Sequence, residues 1–153
     1  MAIEYRLTLA GAIPLEQVAD LAAPDATEEA PLPGSERLLT ADLNDQYGYV
    51  VSVHAGRGGY YDAEDDDGSQ WEWEPETYVN ITFRMKKNEP SEEGTRNMVA
   101  TVARVLAGRP EDAALTLDGN WLLLTRTDGK VRKSRRTWWD TYNVHDLIPQ
   151  STT

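Results

Sequence analysis

The 153-residue chain contains no cysteine. That excludes disulfides, thiolate metal sites and a cysteine nucleophile. Histidine is nearly absent too: His54 and His145 stand alone, with no His-x-x-x-His spacing to suggest zinc. No glycine-flanked serine offers a hydrolase nucleophile. Nowhere does an apolar run approach the ~20 residues that a bilayer-spanning helix needs. Residues 1–15 lack a signal peptide's basic start and continuous apolar stretch, so a cytoplasmic protein is expected. Bases are scarce relative to acids: 15 Lys and Arg against 26 Asp and Glu leave a net charge of −11. Such a charge repels phosphate backbones and anionic lipid, which argues against nucleic acid and membranes as partners and for a basic protein.

What remains is an ordinary globular composition, 40% hydrophobic and 27% charged, in a length that suits one core. A single domain over 1–153 is expected, with a polar, frayed end from about 143. Ile3, Tyr5, Leu7 and Leu9 alternate with Glu4, Arg6 and Thr8, the pattern of a strand with one wet face. Pro14 at a first helical position and Leu15, Val18, Ala19 and Ala22 at helical spacing predict a short helix. Residues 24–35 read as an exposed loop. Strands follow at 37–43 and 47–54, joined by Asn44-Asp45-Gln46, and then a glycine-rich connection, Gly56-Arg57-Gly58-Gly59. No helix and no Gly-Lys-Ser follows those glycines, so they do not form a phosphate loop. Val79, Ile81, Phe83 and Met85 mark the strongest strand. Met98, Val99, Val102, Val105 and Leu106 form the apolar stripe of a helix closed by Gly108 and Pro110. Asp118-Gly119-Asn120 and Asp128-Gly129 predict two further hairpin turns. Few long crossovers and many hairpins predict an α+β fold, a mainly antiparallel sheet with two helices on one face.

Two charged segments stand out. From Asp62 to Glu76 there are eight acids and no base, interleaved with aromatics. The segment fails as an EF-hand loop: with Gly68 at position 6, Ala63 falls at the first ligand position. A solvated hairpin tip is the plain reading. The alternative is a partner-binding surface in which Tyr60, Tyr61, Trp71 and Trp73 anchor while Asp62, Glu64, Asp65, Asp66 and Asp67 steer. The second segment is basic: Arg126, Lys130, Arg132, Lys133, Arg135 and Arg136, followed by Trp138-Trp139. It reads as a charged edge hairpin that discourages sheet-to-sheet association and can pair with the acidic ribbon, the tryptophans docking the tail. No catalytic group accompanies the acids, so neither an enzyme, a metal nor a cofactor is expected.

Several of these stretches resemble a family of small bacterial immunity proteins named for swarm-inhibition toxins. They are Gly58-Gly59-Tyr60-Tyr61-Asp62-Ala63-Glu64, Asp67-Gly68, Trp71-Glu72-Trp73-Glu74 and the strand to Phe83-Arg84-Met85. The Asn97–Leu106 helix, the Ala114–Arg126 hairpin and Trp138-Trp139-Asp140 extend the resemblance over roughly residues 2–140. It implies a non-enzymatic protein that binds and neutralises a cognate toxin, an acidic inhibitor on a basic surface. Without the resemblance, the composition supports an acidic cytoplasmic interaction module with no toxin partner.

Overall fold

The computed structural model describes residues 2–28, 37–86 and 92–149. The elements run β1 (Ala2–Ala10), α1 (Leu15–Ala22), β2 (Thr27–Glu28), β3 (Leu38–Leu43), β4 (Tyr49–Arg57), β5 (Tyr61–Glu64) and β6 (Gln70–Trp73). Then come β7 (Thr77–Lys86), α2 (Glu92–Gly108), β8 (Ala113–Leu117), β9 (Trp121–Thr127), β10 (Lys130–Lys133) and α3 (Arg136–Thr141). Sheet dominates. The strands form one sheet ordered β2-β3-β4-β7-β1-β8-β9-β5-β6, with β10 also on β9. Among the described residues every ladder is antiparallel except the parallel contact of Glu64 with Trp121.

The alternating residues of the central strands converge as expected. Tyr5, Leu7 and Leu9 of β1, Tyr49, Val51 and Val53 of β4, and Val79, Ile81, Phe83 and Met85 of β7 are all buried in one core. The α2 stripe of Met98, Val99, Val102, Val105 and Leu106 joins them, as do Leu15, Val18, Ala19 and Ala22 of α1. Polar contacts pin α2 to the sheet: Tyr49 Oη lies 3.1 Å from Thr101 Oγ1, and Thr95 Oγ1 reaches Met85 Sδ at 4.0 Å. Helix α1 touches α2, β4 and β7.

Four expectations need correction. Residues 27–28 of the presumed loop form β2, paired with Thr40 and Leu39; residues 29–36 lie outside the described ones. Tyr47 precedes β4 and is exposed in the turn, where it stacks on Tyr49 at 6.2 Å. A third helix, α3, is present. Its six residues give too few turns for a periodic signal. Nor is the chain frayed from 143: Val144 and Ile148 are buried, because α3 swings the tail onto the body. Within α3, Trp139 is fully buried and its Nε1 donates to the carbonyls of Leu123 and Ser134 at 3.2 and 3.0 Å. Trp138 packs edge-on against both Trp139 and Tyr5.

The basic run is not uniform either. Arg126 is buried, and its guanidinium donates to the carbonyls of Leu106, Arg109 and Glu111. It closes the C-terminal end of α2, where unpaired carbonyls concentrate.

One feature of topology positions the candidate site. The β4·β7 and β5·β6 ladders share a single register, from Val50 opposite Arg84 out to Glu64 opposite Gln70. They are therefore the two halves of one long hairpin. Gly58 N–H to Glu76 O (2.7 Å) and Gly59 N–H to Pro75 O (3.0 Å) keep the ladder connected where it bends. Gly58 adopts φ +64°, open to glycine at no steric cost. At Gly56 the Tyr78 ring occupies the space a side chain would need. Beyond the bend the distal half, an arm formed by β5 and β6, leaves β4 and β7 and meets β9. Since β1 and β8 lie between β7 and β9, the arm crosses those strands on the face away from the main core. Asn80 on that face donates to Tyr61 Oη at 3.0 Å and accepts from Thr8 Oγ1 at 2.5 Å.

Candidate functional site: the acidic arm

The arm closes on a turn written in its own side chains. Asp65 N–H bonds Ser69 O, and Gly68 N–H bonds Asp65 O. Gly68 takes φ +83°, and Asp67 Oδ1 accepts the Ser69 N–H at 2.9 Å. This Asx-type bonding explains why Asp67-Gly68 turns the chain. Alternation then sorts the flanks. Tyr61, Ala63, Trp71 and Trp73 share one face, with Ala63 buried and the three rings half-buried. Trp73 lies 6.3 Å from Tyr61 and 5.9 Å from Trp71, and Tyr61 meets Tyr78 edge-on at 5.7 Å. Asp62, Glu64, Gln70 and Glu72 occupy the other face. Tyr60, just before β5, is 54% exposed.

The acids divide into two groups that the sequence does not distinguish. Those at the tip are clasped by β10 and the segment after it. Asp65 receives Arg132 Nη1 at 2.9 Å and Ser134 Oγ at 2.7 Å, and its side chain is 13% exposed. Asp66 lies 3.8 Å from Arg132, and Glu64 lies 3.7 Å from Arg135. The Arg135 guanidinium also stacks over Trp121 at 4.4 Å. The acidic ribbon and the basic run thus meet within one molecule. Asp65, Asp66 and Asp67 bring carboxylates within 4.8 Å of one another, the spacing of a cation site. Their oxygens, however, accept from Arg132, Ser134 and Ser69, and Arg132 places a positive charge among them.

The stem is different. Asp62, Glu72 and Glu74 are exposed and make no ion pair among the described residues. Asp62 and Glu72 stand directly opposite each other, a like-charge cross-strand pair that costs stability. Slight desolvation, then the carboxylates of Glu72, Asp62 and Glu74, push the Tyr60 phenol above its ordinary pKa. Elsewhere, His54 is half-buried on β4 with its ring 6.2 Å from Tyr78, and His145 is exposed.

The expected pairing of the basic run with the acidic ribbon is present, through Arg132 and Arg135. Arg132 and Arg135 were visible as bases. Nothing marked Ser134, a lone serine 69 residues from the aspartate it bonds. Within the clasp, Asp65 is engaged internally by Arg132 and Ser134.

A pH effect follows. Burial alone would raise the Asp65 carboxyl, but hydrogen bonds from Arg132 and Ser134 outweigh it and hold the pKa at about 2. A depressed folded-state value stabilises the fold above the unfolded pKa and loses that stabilisation as pH falls. The parent is therefore expected to be more stable than Asp65→Asn near pH 6. Denaturant titrations should show the difference shrinking below about pH 4 and vanishing only below about pH 2. A difference constant across that window would mean the clasp does not depend on the aspartate's charge.

Among the described residues, no helix is long and apolar enough to cross a membrane. No curated protein and no solved structure matches the chain. A family model described as SitI3-like matches residues 3–143, so this chain belongs to the SitI3-like family of swarm-inhibition toxin immunity proteins.

Proposed function

We propose that this protein is a non-enzymatic, single-domain immunity protein that binds a cognate toxin domain in the bacterial cytoplasm and neutralises it through the arm. The family match over nearly the whole chain carries this reading. An immunity protein needs no catalytic residue. It needs a stable fold and a surface that covers the toxin's active site or blocks its substrate channel. The stem supports that use: Asp62, Glu72 and Glu74, beside the exposed Tyr60, make no ion pair among the described residues, and Trp71 and Trp73 are only half-buried. Glu64, Asp65 and Asp66 in the clasp, Asp67 in the turn and Tyr61 on Asn80 hold the arm in place and border the same surface. A net charge of −11 steers the protein onto a basic toxin surface.

The test is co-expression with the toxin domain encoded beside this chain's gene. A co-purifying complex and surviving cells are expected. Cell death at equal expression, with no complex, overturns the reading. Kinetics resolve the roles. Neutralising Asp62, Glu72 and Glu74 together should slow association roughly tenfold at low salt and flatten its salt dependence, with folding unchanged. Unaltered association at both low and high salt would place the interface off the stem.

A further inference from the structure

Strand β6 is a terminal strand of the sheet, and among the described residues it pairs only with β5. The direction of its backbone groups follows from the ladder. Asp65 N–H to Ser69 O makes the pair at the tip a hydrogen-bonded one. In an antiparallel ladder such pairs alternate with pairs whose N–H and C=O turn outward. Ala63–Trp71 and Tyr61–Trp73 are then bonded pairs, while Glu64–Gln70 and Asp62–Glu72 turn outward. Glu64 bears this out, because its N–H leaves β6 and bonds Asn120 O at 2.8 Å. By the same alternation Gln70 and Glu72 present two donors and two acceptors along the outer side of β6.

Edges of this kind are normally blunted. Here β2 is two residues long, and β10 carries Lys130, Arg132 and Lys133. Strand β6 is longer than β2 and carries one charge where β10 carries three. Its charge is of one sign: Glu72 on the strand, Asp62 directly across and Glu74 just beyond it. That sign selects a partner. A second copy pairing edge to edge would bring acidic stems together, which like-charge repulsion opposes. A strand bearing Lys or Arg at alternate positions would relieve the Asp62–Glu72 repulsion.

We propose that the β6 edge takes up an extended basic segment of a partner as an added strand. Backbone bonds form to Gln70 and Glu72, alternate Lys or Arg side chains lie over Asp62, Glu72 and Glu74, and the intervening apolar side chains lie against Trp71 and Trp73. That the partner is the toxin rests on the function proposed above; the strand-addition mode rests on the edge itself.

A ten-residue peptide alternating lysine and valine is the probe, followed by amide NMR and tryptophan fluorescence. The Gln70 and Glu72 amides should shift and become protected from exchange, and affinity should fall steeply with salt. Gln70→Pro removes one outward N–H without changing charge, and proline is tolerated on an edge. It should unfold at the parent's temperature and bind at least tenfold more weakly. The same peptide N-methylated at alternate residues should lose parent binding to a similar extent, which tests strand addition without any protein variant. Equal binding by Gln70→Pro or by the N-methylated peptide would reduce the interaction to charge adhesion and overturn the inference, as would no binding at low salt. Cell protection is read separately. A parent that protects but ignores the peptide keeps the immunity role and loses the edge; the reverse keeps the edge and loses the toxin.

Discussion

Phe83→Ala is expected to lower the unfolding free energy by about 3–5 kcal/mol, the range for deleting a large buried side chain and leaving a cavity. Phe83 sits on β7, between β4 and β1, opposite Val51 on one side and Tyr5 on the other. Its ring is fully buried and meets the Tyr49 ring edge-on at 5.1 Å. Edge-on pairs contribute beyond their buried area. Its neighbours are held by ladders on both sides, so the site can collapse little. The check is a denaturant titration in which the midpoint falls and the slope is unchanged. Phe83→Leu, which keeps most of the volume, should be milder. A loss under about 1 kcal/mol for the alanine variant would mean the face of β7 or the seat of α2 is wrongly placed.

Trp139→Ala is expected to cost a similar amount, about 3–5 kcal/mol, for a different reason. Trp139 is the largest of the fully buried side chains, and it comes from a six-residue helix too short to stand alone. Its indole fills the space between α3 and β9, and its N–H satisfies the Leu123 and Ser134 carbonyls. Trp138 meets it edge-on, Lys133 lies 5.0 Å from its ring, and Val144 N–H bonds its carbonyl. Removing it should release the tail as well as open a cavity. Hydrogen exchange should therefore show residues 136–148 losing protection first. Trp139→Phe separates the contributions: it keeps much of the ring and leaves Leu123 O its bond from Ser134 N–H, but takes the indole donor from the Ser134 carbonyl, at about 1–3 kcal/mol. If the alanine variant lost less than 1 kcal/mol and the tail kept its protection, α3 would be an ornament of the fold.

The two variants also bear on the arm differently. Phe83 lies on the core face of the sheet, opposite the face the arm crosses. Ser134, which bonds Asp65, also accepts from Trp139 through its carbonyl. Trp139→Ala is thus expected to loosen the clasp on the arm's tip and to impair partner binding as well as stability, whereas surviving Phe83→Ala protein should bind normally.

Local pattern was enough for much of this molecule. The alternation in β1, β4 and β7 and the stripe on α2 are periodic over enough residues to define a face, and burial follows the face. The Asp118-Gly119 and Asp128-Gly129 turns were equally legible, because both residues of each pair take positive φ, a conformation these residue types tolerate. The absence of cysteine, the pairing of few bases with many acids, and the stretches shared with an immunity family were likewise properties of the chain as written.

Tertiary structure decided the rest. Leu123 and Leu124 both join the core although a strand's faces alternate, because a register shift opposite Leu115 and Thr116 inserts an extra residue, while Leu122 is buried outside that core. Arg126 looks like its basic neighbours in sequence, yet it lies under the end of α2. The eight acids of residues 62–76 look alike, yet those at the tip meet Arg132, Ser134 and Arg135 while those on the stem meet none. Sequence patterns report which face of its own element a side chain occupies, since that depends only on helix or strand geometry. Which charge finds a partner some 70 residues away depends on where a bent hairpin comes to rest, and no local pattern carries that distance.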